Sequence, residues 1–346
     1  MATNGIDTEI PASPARFGKA ASMIAAALFA TCLALPASAE DTNTRVSFGL
    51  NWLPQGEHCG FYQALATGLY EDAGLDVELQ PGGPDINVPN LVAAGTVDLG
   101  MGSSFTSLNA INQGIPLVTV AAFLQKDPQT LVAHGGQGVS TLEDLKDRPV
   151  MIAKFSQFEF WQFLKMEYGF SDDQIRPYTY SAAPFLADPE AVQQGYITED
   201  ALLLGAELPE PPVSIMLADY GYQNYASTAF TSQPFLDENP EVVRAFLAAT
   251  AEGYRQCIED DYTPAMEAVM AANPDHTAEL FDFKLKQMRD REMVTGGDAE
   301  AGGVGAMTDA RWQSFFDTMS AAGVYPADLD YADAYTLDYV GAMTGN

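Results

Sequence analysis

Asn51, Trp52 and His58 stand close together in the chain, with Phe61 and Tyr62 just beyond them. An amide, an indole, an imidazole and two more aromatic rings suit recognition of a small flat molecule. Ring faces stack on it, and the amide and imidazole hydrogen-bond along its edge. His58-Cys59 also suggests a metal or a nucleophile. Zinc needs three or four ligands at suitable spacing. The three histidines, His58, His134 and His276, are widely separated, and past residue 39 only Cys59 and Cys257 remain. No metal and no other cofactor is expected, and His58 is read as a hydrogen-bonding residue. No serine triad, P-loop or Rossmann pattern stands in context. Gly135-Gly136-Gln137-Gly138 leads to no phosphate-binding helix start and is read as a linker.

The elements that position these residues follow from periodicity. Val46, Phe48 and Leu50 alternate as in a strand, and Phe61, Leu65 and Leu69 recur at helical spacing. Asp76 to Leu79 is a second strand closed by Pro81-Gly82-Gly83-Pro84. Val88 to Ala94 is helical, Val97 to Met101 a strand, and Ser104 to Asn112 a helix, before apolar strands at Leu117 to Leu124 and Gln129 to Ala133. The pattern restarts with strand Pro149 to Ala153, helix Phe160 to Tyr168, strand Pro177 to Tyr180, helix Asp188 to Gln194 and strand Val213 to Leu217. Ala226 to Phe230 crosses back, and helices fill the remainder: Pro240 to Glu259, Pro264 to Ala272, His276 to Met288 and Asp309 to Ala322. Strands alternating with helices imply an α/β fold with mainly parallel sheets. A second α/β unit inserted in the first gives two lobes and a cleft. The expected division is lobe 1 at 40–134 and 227–346, with lobe 2 at 135–226.

Arg16 and Lys19 precede an apolar run from Ala20 to Leu35, and Ala37-Ser38-Ala39 offers a cleavage site. That order is a secretory signal over residues 1–39, so a periplasmic protein is expected. No later apolar run reaches the roughly 18 residues of a membrane span. The roughly 300 residues that follow suit two packed domains. The formal net charge of −31 argues against nucleic acid, whose phosphates it repels.

Several segments resemble the type II periplasmic solute-binding proteins of ABC importers. Asn51-Trp52-x-Pro54 with His58 and Tyr62 is similar to an opening motif of that family. Gly68-Leu69-Tyr70 through Gly74-Leu75-Asp76-Val77, the run Leu91 to Gly100, and Asn239 to Leu247 are similar to later ones. Within the family the chain resembles the branch of thiamine-pyrimidine-precursor binders, riboflavin binders and the fungal thiamine pyrimidine synthase. Sulfonate and nitrate binders are more distant. The resemblance implies a two-lobed fold, hinge closure on a small molecule, an ABC permease and ATPase as partners, and a monomer. The fungal synthase uses a histidine in this motif with a cysteine cluster. His58 matches, the cluster does not exist here, and no enzyme activity is expected.

Strand ends should then supply the cleft. The first lobe offers Asn51, Trp52, His58, Phe61, Asp85, Ser103, Ser104, Phe105 and Phe123. The second offers Ser156, Gln157, Phe158, Trp161, Tyr180, Glu199, Asp219 and Tyr222. This set is aromatic and acidic, with Lys126 and Lys154 the only bases nearby. A sulfonate or nitrate would ask for Arg or Lys beside helix N-terminal donors. An aminopyrimidine fits better, with riboflavin or another flat heterocycle next. Ser103 and Ser104 either hold a polar tail or cap their helix.

Overall fold

The structure, a computed structural model, describes residues 43–340. The expected export signal lies outside the described residues. Two five-stranded sheets are present among them. The first contains β1 (Thr44–Gly49), β2 (Leu75–Gln80), β3 (Leu99–Gly102), β4 (Leu117–Leu124) and β10 (Ala226–Ser232), in the order β2-β1-β3-β10-β4. The second contains β5 (Gln129–Ala133), β6 (Val150–Ile152), β7 (Ile175–Pro177), β8 (Val192–Tyr196) and β9 (Val213–Met216), in the order β7-β6-β8-β5-β9. This is the two-lobed α/β architecture that the alternation of elements implies.

The sheets are more mixed than expected. β10 runs antiparallel to β3 and β4, and β5 runs antiparallel to β8 and β9. Each is the strand by which the chain enters a sheet from the other lobe, so it arrives from the opposite end. The division after residue 134 assigns Gln129–Ala133 to the first lobe, yet this strand is hydrogen-bonded within the second sheet. Val192–Tyr196 is a strand where a helix over Asp188 to Gln194 is expected, and the helix comes earlier, at Ala183–Ala187. The gap between β5 and β6 decides this: residues 192–196 complete both ladders. The strand expected over Pro177 to Tyr180 ends at Pro177, and Tyr180 turns away with φ 61°.

Alternation places Val46 and Phe48 of β1 and the following Leu50 in the first core, where Phe48 stacks on Phe61 at 4.5 Å between ring centroids. The helix Cys59–Ala66 packs on the long helix Pro240–Glu259. Contact is close because residue 60 is glycine: a Cβ there would lie 2.0 Å from Tyr254 Cδ2. Gly60→Ala should therefore cost about 1–3 kcal/mol of stability from overpacking. Urea denaturation checks this, and an unchanged midpoint would mean that the two helices can separate freely. Cys59 and Cys257 are buried free thiols on the same two helices.

Between the lobes the chain crosses twice, after β4 and before β10. The Asn224 side-chain amide donates to Asp127 Oδ2 at 2.7 Å and joins the crossings. Arg311, from the helix Asp309–Ala321, lies 4.1 Å over the Tyr225 ring and donates to the carbonyls of Gln125, Gln223 and Asn224. A guanidinium with several donors in a fixed fork is suited to collecting carbonyls from two strands.

Candidate ligand-binding site

A cavity of about 650 Å³ lies between the two sheets, within the usual range for small-molecule sites. Its first-lobe wall is the loop after β1. This loop is held from behind by the returning helices. Asn273 donates to the Pro54 carbonyl at 2.8 Å, His276 Nε2 accepts from the Gly56 N–H at 3.2 Å, and the Tyr254 hydroxyl donates to the Glu57 carbonyl at 2.8 Å. In front, the Gly82 N–H donates to the Trp52 carbonyl at 3.1 Å. Only glycine permits that approach, since a Cβ at residue 82 would sit 2.1 Å from the Leu50 oxygen.

The cavity brings together Asn51, Trp52, His58, Asp85, Ser103 and Glu199 from the expected set, with Ser156 and Tyr180. Ser103 also caps its helix, accepting from the Thr106 N–H at 3.3 Å. The others lie elsewhere. Phe61, Phe105, Phe123, Trp161 and Tyr222 are buried in the cores, where their apolar area is better used. Trp161 donates to Asp172 at 2.9 Å, away from the cavity. Ser104 is fully buried, bonded through its hydroxyl and its N–H to the backbone of Tyr225, so it anchors the return crossing. Asp219 sits in the short 3-10 helix Leu217–Tyr220, and Phe158 is 61% exposed; neither lines the cavity, nor does Gln157.

Residues not expected also line it: Glu57, Asp127, Glu159, Tyr178, Tyr196 and Asn224 among them. Glu57 is next to His58 but reads as an ordinary surface acid. Asp127 and Asn224 are cavity residues only because the crossings pass there, which strand order alone could have indicated.

Trp52 and Tyr180 face each other from the two lobes, ring centroids 5.2 Å apart and tilted by 45°. A ring sandwiched between them would need roughly 7 Å. The two rings thus meet across the cavity and leave no room for a ring between them.

Five carboxylates line the cavity, those of Glu57, Asp85, Asp127, Glu159 and Glu199, and no Lys or Arg does among the described residues. Lys284 reaches this set from behind, with Nζ 3.0 Å from Glu57 Oε1 and 2.6 Å from Glu199 Oε2. Burial acts to raise the Glu57 carboxyl, but Lys284 and the Thr198 hydroxyl outweigh it and hold it below the ordinary carboxylate range. Burial pushes His58 down to about 4, so its imidazole is neutral at pH 7.

At the hinge end the balance is opposite. Burial, then the neighbouring Asp127 charge, push the Glu159 carboxyl up to about 8, and Tyr222 O–H donates to it at 3.3 Å. Burial also raises Asp127, against bonds from Gln129 and Asn224. A carboxyl whose folded value lies above its ordinary 4.5 keeps a proton that the unfolded chain releases. Its contribution to stability is complete below about pH 4.5 and is lost as pH rises to about 8, at up to about 1.4 kcal/mol per pH unit. His58 acts in the opposite sense below about pH 6.5. Glu159→Gln should therefore gain stability relative to wild type between about pH 5 and about pH 8. Urea melts across that range test this; parallel curves would mean that Glu159 is ionised in the fold.

Comparison with known proteins places this geometry. The family model described as "NMT1/THI5 like" matches residues 55–262. The chain is similar to a riboflavin-binding protein of Chloroflexus aurantiacus, 26% identical over 319 residues, 88% of each chain. It is similar to a formylaminopyrimidine-binding protein of Halalkalibacterium halodurans, 24% identical over 262 residues, 70% of this chain and 75% of that one. A 4-amino-5-hydroxymethyl-2-methylpyrimidine phosphate synthase of Saccharomyces cerevisiae is 25% identical over 226 residues, 59% of this chain and 64% of that one. Among solved structures, the periplasmic aliphatic sulphonate binding protein of Escherichia coli superposes with a TM-score of 0.62 at 15% identity, over 84% of this chain and 91% of that one. The fold is thus the periplasmic-binding-protein fold, and the chain belongs to the NMT1/THI5-like family.

Proposed function

We propose that this chain is the exported solute-binding component of an ABC importer, and that it closes its two lobes on a flat nitrogen heterocycle in the cavity. The observation that carries the ligand class is the acidic lining: five carboxyl groups, of which Glu159 keeps its proton near neutral pH and Glu57 and Glu199 share Lys284, and no lining Lys or Arg among the described residues. Such a wall accepts hydrogen bonds from amino groups and ring N–H and repels sulfonate, nitrate or phosphate. A thiamine-related pyrimidine is the first choice. A relative named for formylaminopyrimidine binding is in keeping with it. A riboflavin-type ligand is the second choice, favoured by the identity over 88% of both chains.

The synthase relatives raise catalysis as a rival. The residues favour binding without turnover: Cys59 and Cys257, the only cysteines past the expected leader, are buried, and neither lines the cavity. Export to the periplasm rests on the N-terminal sequence, and docking on a permease follows from the role. None of the described helices is long and apolar enough to cross a membrane.

Thermal shifts of residues 40–346 with formylaminopyrimidine, hydroxymethylpyrimidine, riboflavin, taurine and nitrate test the proposal. Ligand at about a thousand times its dissociation constant adds roughly 4 kcal/mol, a shift of several degrees. A shift with a pyrimidine or riboflavin alone supports it. A shift with taurine or nitrate alone overturns the ligand class, and loss of a pyrimidine with product formation overturns the binding role.

A further inference from the structure

Glu57 is 3% exposed and lines the cavity, yet its two carboxylate oxygens are used unequally. Oε1 accepts from Lys284 Nζ at 3.0 Å and from the Thr198 hydroxyl. Oε2 is buried and has no partner. His58, beside it, is 1% exposed, lines the same cavity, and has an unpartnered Nδ1. Buried polar atoms are nearly always bonded, and an orphaned carboxylate oxygen is an unfavourable one to leave. Two neighbouring residues with orphaned polar atoms on one cavity wall mark a place for a polar ligand group.

We propose that Glu57 Oε2, with the neighbouring His58 imidazole, is a buried anchor for an exocyclic amino or amidine-type N–H group of the ligand, and that Lys284 is the residue that positions it. This rests on the reading of the cavity as a heterocycle site and says which side chain reads the amino group. Glu199 shares Lys284 at 2.6 Å but is 32% exposed, so its free oxygen can be met by water, which that of Glu57 cannot. Glu57, Glu199 and Lys284 together carry one net negative charge, which complements an N–H donor and opposes an anionic one. The neutral imidazole of His58 offers one donor and one acceptor nitrogen, so it suits a ring nitrogen beside the amino group.

The anchor is built from both lobes. Glu57 follows β1 of the first sheet, and Lys284 lies in the helix Ala278–Asp290, which packs against the Gly56–His58 turn. Thr198 and Glu199 follow β8 of the second sheet. The Thr198–Glu57 and Lys284–Glu199 bonds therefore form only when the lobes are together, while the Lys284–Glu57 pair holds the carboxylate from the first lobe alone.

The test compares 4-aminopyrimidine with pyrimidin-4-one, as millimolar fragments detected by ligand-observed NMR, on wild type, Glu57→Gln, Glu57→Asp and Thr198→Val. Wild type should prefer the amino fragment by about tenfold or more, the scale of one hydrogen bond to a charged group. Glu57→Gln should reduce that ratio to within about threefold. Glu57→Asp keeps a charge opposite Lys284, and so folds if the amide variant does not; it withdraws the oxygens and should lose the preference likewise. Thr198→Val loosens the lobe contact but leaves Oε2 in place, so it should keep the preference. Wild type without preference, or binding neither fragment, overturns the anchor, and so does a preference that survives both Glu57 variants. Equal weakening of both fragments by Glu57→Gln and Thr198→Val would make Glu57 a strut between lobes and also overturn it. The import ligand is decided separately by the five-compound panel: an anchor without a panel ligand, or a panel ligand without the anchor, are distinct results.

Discussion

Lys284→Met should lower the unfolding free energy by about 3–5 kcal/mol, the usual result of removing one partner of a buried ion pair. The side chains of Lys284 and Glu57 are 1% and 3% exposed, so neither charge has water to fall back on. In wild type, burial acts to lower the Lys284 ammonium, but Glu57 and Glu199 outweigh it and raise it above its ordinary value. A raised lysine gives stability that is complete below its ordinary value and is lost as pH rises through the folded one. The depressed Glu57 gives stability that is present above about pH 4.5 and is lost as pH falls through its folded value. Methionine fills much of the lysine's volume, so the loss is mainly of charge balance. The double variant Lys284→Met, Glu57→Gln should recover part of it, because an uncharged pair costs less to bury than one stranded charge. Chemical denaturation near neutral pH measures both. A single-variant loss below about 1 kcal/mol would mean that water reaches the pair, since that is the range of exposed ion pairs.

Trp52→Ala should weaken heterocycle binding by about 1–3 kcal/mol, the measured range for removing one stacking ring. That is roughly a 5- to 150-fold rise in Kd. The Gly82 bond to its backbone and the Tyr180 ring beside it hold the indole in place. It is only partly buried, so truncation removes little core area and the fold should persist. Calorimetry with the best ligand of the panel reads the effect, and unchanged affinity in a folded variant would take Trp52 out of the site.

The strands and long helices were legible because their periodicity matches their burial. Val46, Phe48 and Leu50 alternate inward, and Pro240–Glu259 carries an apolar stripe that meets Cys59–Ala66. Val192–Tyr196 was not, because Asp188-Pro-Glu-Ala-Val-Gln-Gln favours helix locally and only the open place in the second sheet makes it a strand. The cavity lining was legible where a motif marked it, at Asn51, Trp52 and His58. Elsewhere residue type alone was ambiguous. Phe61, Phe105, Trp161 and Tyr222 suit a ligand wall as well as a core, and packing against Phe48, Tyr325, Phe170 and Phe163 sends them to the core. Nothing local in the sequence distinguishes Glu57, a buried acid, from a surface one. Its partner Lys284 is far along the chain, on a helix that returns to cover the loop.

Trp52 is the one tryptophan of three that lines the cavity, since Trp161 and Trp312 are fully buried elsewhere. Tryptophan emission of wild type and Trp52→Phe, titrated with hydroxymethylpyrimidine and with riboflavin against taurine, therefore reads occupation of the cleft. A saturable one-to-one change with a heterocycle, absent with taurine and greatly reduced in Trp52→Phe, is the predicted result. A change with taurine alone, or a heterocycle response that Trp52→Phe leaves intact, would contradict a heterocycle held in this cavity.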